Sequence, residues 1–148
     1  MNTLTIDKLL INQPKFKGAF PCDMLPKVQD NEYSMIVNTD NSFKQGEHWT
    51  AFVIVNDNVY YMDSFGRNYD NKSFPNDYTS NLAKLFLGKR VRINNKVLQG
   101  FQNNTCADYC VYFIAKFYEN IPFPSIFKDF TEDFNFNDKK IVKYIFKL

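Results

Sequence analysis

The stretch that decides the fold is Cys106-Ala-Asp-Tyr-Cys-Val-Tyr-Phe-Ile-Ala-Lys-Phe-Tyr118. Apolar side chains occur nearly all round a helix drawn over it, which is typical of a helix that is buried by its neighbours. A chain of 148 residues is long enough to bury one substantial core. We therefore predict a single domain over residues 1–148, in which this helix is central and packs against a sheet.

The sheet is predicted from the strand patterns that precede the helix. Residues 33–39 and 48–55 are dense in apolar, aromatic and β-branched side chains, and residues 59–62 follow a tight turn as the second arm of a hairpin. Weaker patterns predict helices over 5–12, 76–87 and 138–147, a strand over 90–98 and a loop over 16–26. These elements together predict an α+β class, with a central antiparallel sheet and helices around it.

Composition excludes several classes of protein. The formal net charge of +2 is too small to indicate nucleic-acid binding by itself. No apolar run approaches the roughly 18–20 residues of a membrane-spanning helix, and the first residues lack a secretory pattern, so we expect no membrane association. The three cysteines (Cys22, Cys106 and Cys110) are odd in number and lack metal-ligand spacing, which indicates reduced thiols, no metal site and an intracellular setting.

A thiol nucleophile is the chemistry that the sequence supports best. Cys106 is the predicted first residue of the central helix, where free N–H groups and the helix dipole favour a thiolate, and Thr105 is expected to cap that helix. The only histidine, His48, lies on the clearest strand as a candidate general base. Asp63, at the end of the paired hairpin strand, is placed to orient it, provided that a small stagger brings the two together.

An acyl-transfer reaction also requires hydrogen-bond donors for the oxyanion. The backbone N–H of Cys106 is one candidate, and the side-chain amide of Gln99 or Gln102 is a second. Each residue also has an ordinary structural explanation when it is taken alone. A histidine on a strand and a cysteine at a helix start are usually structural, and Asp63 precedes a turn sequence.

The order of the motifs favours the catalytic explanation. The segments Gly46-Glu-His-Trp-Thr-Ala-Phe52, Tyr61-Met-Asp-Ser-Phe-Gly66 and Gln99-Gly-Phe-Gln-Asn-Asn-Thr-Cys-Ala-Asp-Tyr-Cys110 occur in sequence. Together they resemble the adenovirus maturation protease (adenain) family, within the wider group of ubiquitin-like-protein proteases. The resemblance extends over about residues 15–118. It is strongest to the adenain-like proteases of virophages and of large virus-like (Maverick/Polinton) transposons.

This resemblance implies a papain-like or ubiquitin-like-protease type of fold and a role for each residue. Cys106 corresponds to the nucleophile, His48 to the catalytic histidine and Asp63 to the acidic third member. Gln99 has the spacing of the oxyanion-hole glutamine and is preferred to Gln102 on that ground. Trp49 is expected to support the imidazole by packing against it.

The function that the resemblance implies is cleavage of viral capsid or core precursors, after glycine, during virion maturation. Such a hydrolase, a thiol protease, would act on protein substrates as a monomer, in the host cytoplasm or virus factory and inside the virion. It requires no cofactor by sequence, although the family includes members activated by DNA or a viral peptide. Two alternatives stay open: an isopeptidase for ubiquitin or a ubiquitin-like modifier, and a non-catalytic capsid-associated relative.

Two departures from the family pattern bear on these expectations. Ala107 follows the nucleophile where the family usually has glycine, which is harmless if that backbone is helical. Residues 88–93 lack the cysteine that links the activating peptide in adenoviruses, so covalent activation is not expected. The basic residues Lys89, Arg90 and Arg92 could contact DNA weakly, but a solvated strand face explains them better.

Overall fold

A computed structural model describes residues 1–101 and 103–148 of the chain. The strands are β1 (Phe16–Pro21), β2 (Glu32–Asn38), β3 (Trp49–Val55), β4 (Asn58–Met62) and β5 (Arg90–Ile93). The helices are α1 (Thr3–Leu9), α2 (Asn76–Leu85), α3 (Cys106–Tyr118) and α4 (Phe134–Phe146), with a short 3₁₀ helix at Phe123–Ser125. In these described ranges, no helix combines the length and apolar character needed to cross a membrane.

The five strands form one mixed sheet in chain order, β1-β2-β3-β4-β5. The three middle strands pair antiparallel, as predicted, whereas β1 runs parallel to β2 and β5 runs parallel to β4. The predicted α+β class is confirmed. The parallel edges arise because the connections from β1 to β2 and from β4 to β5 cross over instead of forming a hairpin.

Helices pack on both faces of the sheet, and α3 is the central helix on one of them. Nine of its thirteen residues are buried, as the all-round apolar pattern predicted. It packs with α1 and α4 on one face of the sheet, where Ala51 and Val53 point. On the opposite face, α2 buries Tyr78 and Leu82 against the alternate side chains of the same strands, such as Phe52. The helix that begins at Cys106 is therefore fixed rigidly.

Residues 16–21 form strand β1, so the prediction of a loop from 16 to 26 is wrong for its first part. Gly18 has φ +126° and lies where the register with β2 shifts, between Phe16 and Ala19. Pro21 ends the strand at the outer edge of the sheet, where a missing N–H is tolerated. The glycine and the proline that indicated a loop are thus accommodated by an irregular edge strand.

Strand β5 is shorter than the predicted 90–98 because Asn94 leaves the pairing. Its backbone N–H still donates to the Tyr61 carbonyl (3.2 Å), but its side-chain amide accepts a hydrogen bond from the Asp63 N–H (3.1 Å) and donates one to the Asp63 carbonyl (3.1 Å), so side-chain bonds replace the next backbone pair. Helix α4 begins earlier than the predicted residue 138, since Asp133 caps it by accepting a hydrogen bond from the Phe136 N–H (3.1 Å).

Candidate active site

Three chain segments meet at one end of the central hairpin. His48 lies directly before β3, Asp63 directly after β4, and Cys106 is the first residue of α3. The β3–β4 register pairs Ala51 with Met62, and its extension would place Phe65 rather than Asp63 opposite His48. The side chain of Asp63 spans this two-residue offset to contact His48. The sequence analysis required such a stagger for the two residues to meet.

His48 contacts both of the other groups. Its Nε2 lies 2.5 Å from Oδ1 of Asp63, and the thiol of Cys106 lies close enough to raise the pKa of the imidazole. Because Nε2 faces the carboxylate, Nδ1 is the ring nitrogen left for the sulfur. Asp63 is fully buried, and His48 and Cys106 are each 8% exposed. The arrangement brings a thiol, an imidazole and a carboxylate into one nearly buried cluster, which is the geometry of a candidate Cys–His–Asp triad.

The electrostatics of these groups favour an ion pair between thiolate and imidazolium. Burial alone raises the pKa of Cys106, but His48 and the backbone N–H groups of Trp49 and Ala107 outweigh it, and the pKa is lowered. Burial alone lowers the pKa of His48, but the hydrogen bonds with Asp63 and Cys106 raise it to about 9. The sulfur therefore loses its proton at a pH where the imidazole keeps one.

The other two cysteines have the opposite character. Burial raises the pKa of Cys22 to about 12, and burial also raises the pKa of Cys110 far above its usual value. Both are almost completely inaccessible, and all three cysteines are free thiols. The neighbours of Cys106, which lower its pKa, thus distinguish it from Cys22 and Cys110.

Gln99 lines the same cleft as Cys106, and its amide is held at both ends. Its Oε1 accepts a hydrogen bond from Ser64 Oγ (2.6 Å), and its Nε2 donates one to the Asn103 carbonyl (2.5 Å). An amide nitrogen carries two hydrogens, so one N–H is left for a ligand in the cleft that Gln99 lines. Gln102, the other candidate from the sequence, lies outside the described residues.

The aromatic ring stacked on the imidazole is that of Phe65, with centroids 5.2 Å apart and an angle of 26° between the planes. The sequence assigned this support to Trp49. Trp49 lines the same cleft, its indole N–H donates to the Met1 carbonyl (3.3 Å), and its backbone N–H faces the Cys106 sulfur. Its side chain packs against the hydrophobic core, and its support of the imidazole stays a prediction.

Asp138 of α4, a residue that the sequence interpretation missed, accepts hydrogen bonds from Gly100, Asn103 and Thr105, which precede α3. Thr105 does not cap α3 with its side chain, contrary to expectation, because its hydroxyl donates to Asp138 instead (3.0 Å). Arg67, which contacts Asp63, was also missed. Its position directly after the Asp-Ser-Phe-Gly motif was an available signal, whereas nothing local in the sequence indicated Asp138.

The triad opens into a cleft of about 920 Å³. Gly46, Phe65, Phe101 and Asn104 lie among its lining residues, so both aromatic and polar residues border it. Ala107 lies within α3, and helical backbone there suits alanine without strain. Over residues 1–101 and 103–148, no three His, Cys, Asp or Glu side chains cluster in a way that would bind a metal ion.

The basic residues of the β5 region lie away from this cleft. Arg90 and Arg92 are exposed on the edge strand, and Arg92 stacks on Tyr60 with its guanidinium 5.9 Å from the ring centroid. Lys89 donates a hydrogen bond to the Asn56 carbonyl (2.9 Å). The suggested weak contact with DNA stays a prediction.

Comparison with known proteins gives a match in structure but not in sequence. No protein-family model matches the chain, and no curated protein matches it. The fold is similar to that in a crystal structure of the ASFV pS273R protease, with a TM-score of 0.61 and 16% sequence identity over 98% of this chain. The chain spans 66% of the length of that protease. At this identity the match shows that this chain shares its fold with a protease, and it shows the fold alone.

Proposed function

We propose that this protein is a cysteine endopeptidase. The observation that carries the proposal is the buried contact of His48 with both Asp63 and Cys106, at the N-terminus of α3. This is the geometry that nucleophilic catalysis by a thiol requires: a base beside the nucleophile and a third group that orients the base. The fold shared with a protease supports the same conclusion.

The reaction would proceed in two steps. The Cys106 thiolate attacks the carbonyl carbon of the scissile peptide, and the oxyanion accepts hydrogen bonds from the Gln99 amide and the Cys106 N–H. The imidazolium of His48 gives its proton to the leaving amine as the C–N bond breaks, which leaves a thioester. Water then attacks the thioester, His48 takes a proton from it, and the thiolate departs.

The substrates and setting are proposed from the motif resemblance described above. We propose cleavage after glycine in capsid or core precursors during virion maturation, in the cytoplasm or virus factory of a host cell and within the particle. The enzyme acts as a monomer, and a DNA or peptide activator remains compatible with the chain. A viral origin is supported by the fold match to an ASFV protease.

The first experiment measures the alkylation of each cysteine by iodoacetamide against pH, mapped by mass spectrometry. We expect Cys106 to react rapidly below pH 7 in the wild type and slowly in His48→Ala. Cys22 and Cys110 serve as internal controls, since both are buried with raised pKa values. Labelling of Cys106 at the rate of these controls in the wild type would refute the proposal.

Cleavage itself is tested with a fluorogenic peptide amide that has glycine before the scissile bond. Cys106→Ala and His48→Ala should abolish turnover while circular dichroism shows an unchanged fold. Turnover at the wild-type rate in either variant would show that the triad is not the catalytic site.

A further inference from the structure

Arg67 is the residue that completes the surroundings of Asp63. Its Nε donates a hydrogen bond to Oδ2 of Asp63 (2.7 Å), and its backbone N–H donates to the same oxygen (3.2 Å). The other oxygen, Oδ1, receives His48 Nε2 (2.5 Å) and the Phe65 N–H (3.3 Å). One oxygen of the buried carboxylate is thus directed to the imidazole and the other to the guanidinium.

The guanidinium has two aromatic rings and a hydroxyl as further neighbours. It lies 4.3 Å from the ring centroid of Phe74 and 5.3 Å from that of Phe65, and its Nη1 donates to Ser73 Oγ (3.1 Å). Phe65 in turn stacks on His48. Arg67 therefore contacts Asp63 directly and the imidazole through Phe65, and the side-chain and backbone N–H groups of one residue together orient a single oxygen of the carboxylate.

We propose that Arg67 is a positioning residue for the peptidase reaction: it orients Asp63 toward His48 and draws part of the carboxylate's negative charge away from the imidazole. The inference rests on the proposed function. The physical reason for this role lies in the step in which His48 protonates the leaving amine. A buried carboxylate with no other positive partner would hold the imidazolium proton too strongly for efficient transfer.

The other charged and titratable groups around this pair come from several elements. Cys106 of α3 faces His48, and the charge of Asp63 acts on Tyr61 of β4, Tyr78 of α2 and Cys110 of α3. Glu47 lines the same cleft. Among the described residues, Arg67 is the one arginine or lysine that forms an ion pair with Asp63, so its removal should change the charge balance of the pair directly.

His48 is the only histidine in the chain, so its titration can be followed alone. The experiment is an NMR titration of protein labelled at histidine, in the wild type, Arg67→Ala, Arg67→Lys and Asp63→Asn. We expect the pKa of His48 to rise above its wild-type value of about 9 in Arg67→Ala, because a positive charge has been removed. It should fall in Asp63→Asn and stay near the wild-type value in Arg67→Lys.

Lys116→Ala is the matched control. The Lys116 ammonium also lies between two aromatic rings, 5.6 Å from the Tyr112 centroid and 5.2 Å from that of Tyr144, beside the carboxylate of Glu119 (3.6 Å). It is on the C-terminal turn of α3, far along the helix from Cys106. Its loss should leave the pKa of His48 unchanged.

The outcomes separate this inference from the proposed function. A wild-type protein without an activated Cys106 thiolate refutes the peptidase itself. If the thiolate is present but the pKa of His48 in Arg67→Ala is unchanged or lowered, Arg67 does not share the charge of Asp63 and this inference is overturned. A rise in Arg67→Ala that is absent in Lys116→Ala and reversed by Arg67→Lys supports it, even if Arg67→Ala is less stable.

Discussion

The carboxylate of Asp138 accepts a hydrogen bond from the hydroxyl of Tyr109 at 2.7 Å, and thereby joins α4 to the helix that begins at the nucleophile. The same carboxylate accepts hydrogen bonds from the Gly100 N–H (3.1 Å), the Asn103 side chain (2.5 Å) and Thr105 Oγ1 (3.0 Å). Three of these donors lie between Gln99 and Cys106 in the sequence, and Tyr109 follows Cys106 in α3. The position of Gln99 relative to the Cys106 sulfur thus depends on one buried residue.

Asp138→Ala should reduce cleavage far more than it reduces the alkylation of Cys106. Attack on iodoacetamide forms no oxyanion, so it does not need the loop geometry, whereas peptide hydrolysis does. The four donors left without their acceptor should also lower the free energy of unfolding by roughly 2–4 kcal/mol. The two rate constants and a urea titration measure these effects. Asp133→Ala, which removes only the exposed cap of α4, should cost about 1 kcal/mol and leave cleavage intact.

Gln99→Ala should lower kcat for peptide cleavage by about 100- to 1,000-fold, the usual effect of losing one oxyanion donor. The alkylation rate of Cys106 should stay within about twofold of the wild type, because the triad is untouched. Gln29→Ala, in an exposed loop, is the control for a glutamine substitution. An equal loss of both rates would mean that Gln99 supports the thiolate rather than the oxyanion.

Asp63→Asn should shift the alkylation profile of Cys106 to higher pH. The carboxylate stabilises the imidazolium, so its neutralisation lowers the pKa of His48 from about 9. Less imidazolium at neutral pH in turn leaves the thiol without its positive partner, and the pKa of Cys106 rises toward the usual value. Alkylation below pH 7 should slow markedly, while Asp57→Asn in the exposed hairpin turn should match the wild type. A profile unchanged in Asp63→Asn would contradict the assignment of the third residue.

Gly66→Ala should destabilise the protein more than Gly88→Ala, although both glycines have left-handed backbone (φ +74° and +76°). The cost of that conformation for alanine, about 1–2 kcal/mol, is common to both. At Gly66 a Cβ would also lie 3.1–3.2 Å from backbone atoms of Asn95 and Lys96, whereas nothing lies within 4 Å at Gly88. The crowding should add about 1–3 kcal/mol, measured by urea unfolding. Equal losses would show that the loop after Asp63 can move aside.

The residues of the triad could be predicted because each belongs to a local pattern. His48 precedes the strongest strand, Asp63 follows its partner, and Cys106 begins an apolar helix, so local patterns placed them on the fold, and the motif order that resembles the adenain family singled them out. Gln99 was chosen because its spacing to Cys106 matches that of the family which the sequence resembles, and the two residues line the same cleft.

What the sequence did not reveal depends on contacts between distant segments. Strand β1 is stabilised by parallel pairing with β2, which has no signature within residues 16–21. The end of β5 depends on the Asn94 amide binding the backbone of Asp63, and the role of Thr105 depends on Asp138. A local pattern contains no information about such partners, so the boundaries and the supporting residues were missed.

The hydrogen bonds from Gly100, Asn103 and Thr105 to Asp138 have a consequence for the nascent chain during synthesis. During synthesis His48, Asp63 and Cys106 emerge from the ribosome before Asp138, because a nascent chain emerges with its N-terminus first. A nascent chain that ends before residue 138 has the nucleophile but lacks the acceptor that orders the loop beside it. The protein should therefore stay inert toward neighbouring polypeptides during translation, and gain activity only once α4 has emerged and docked.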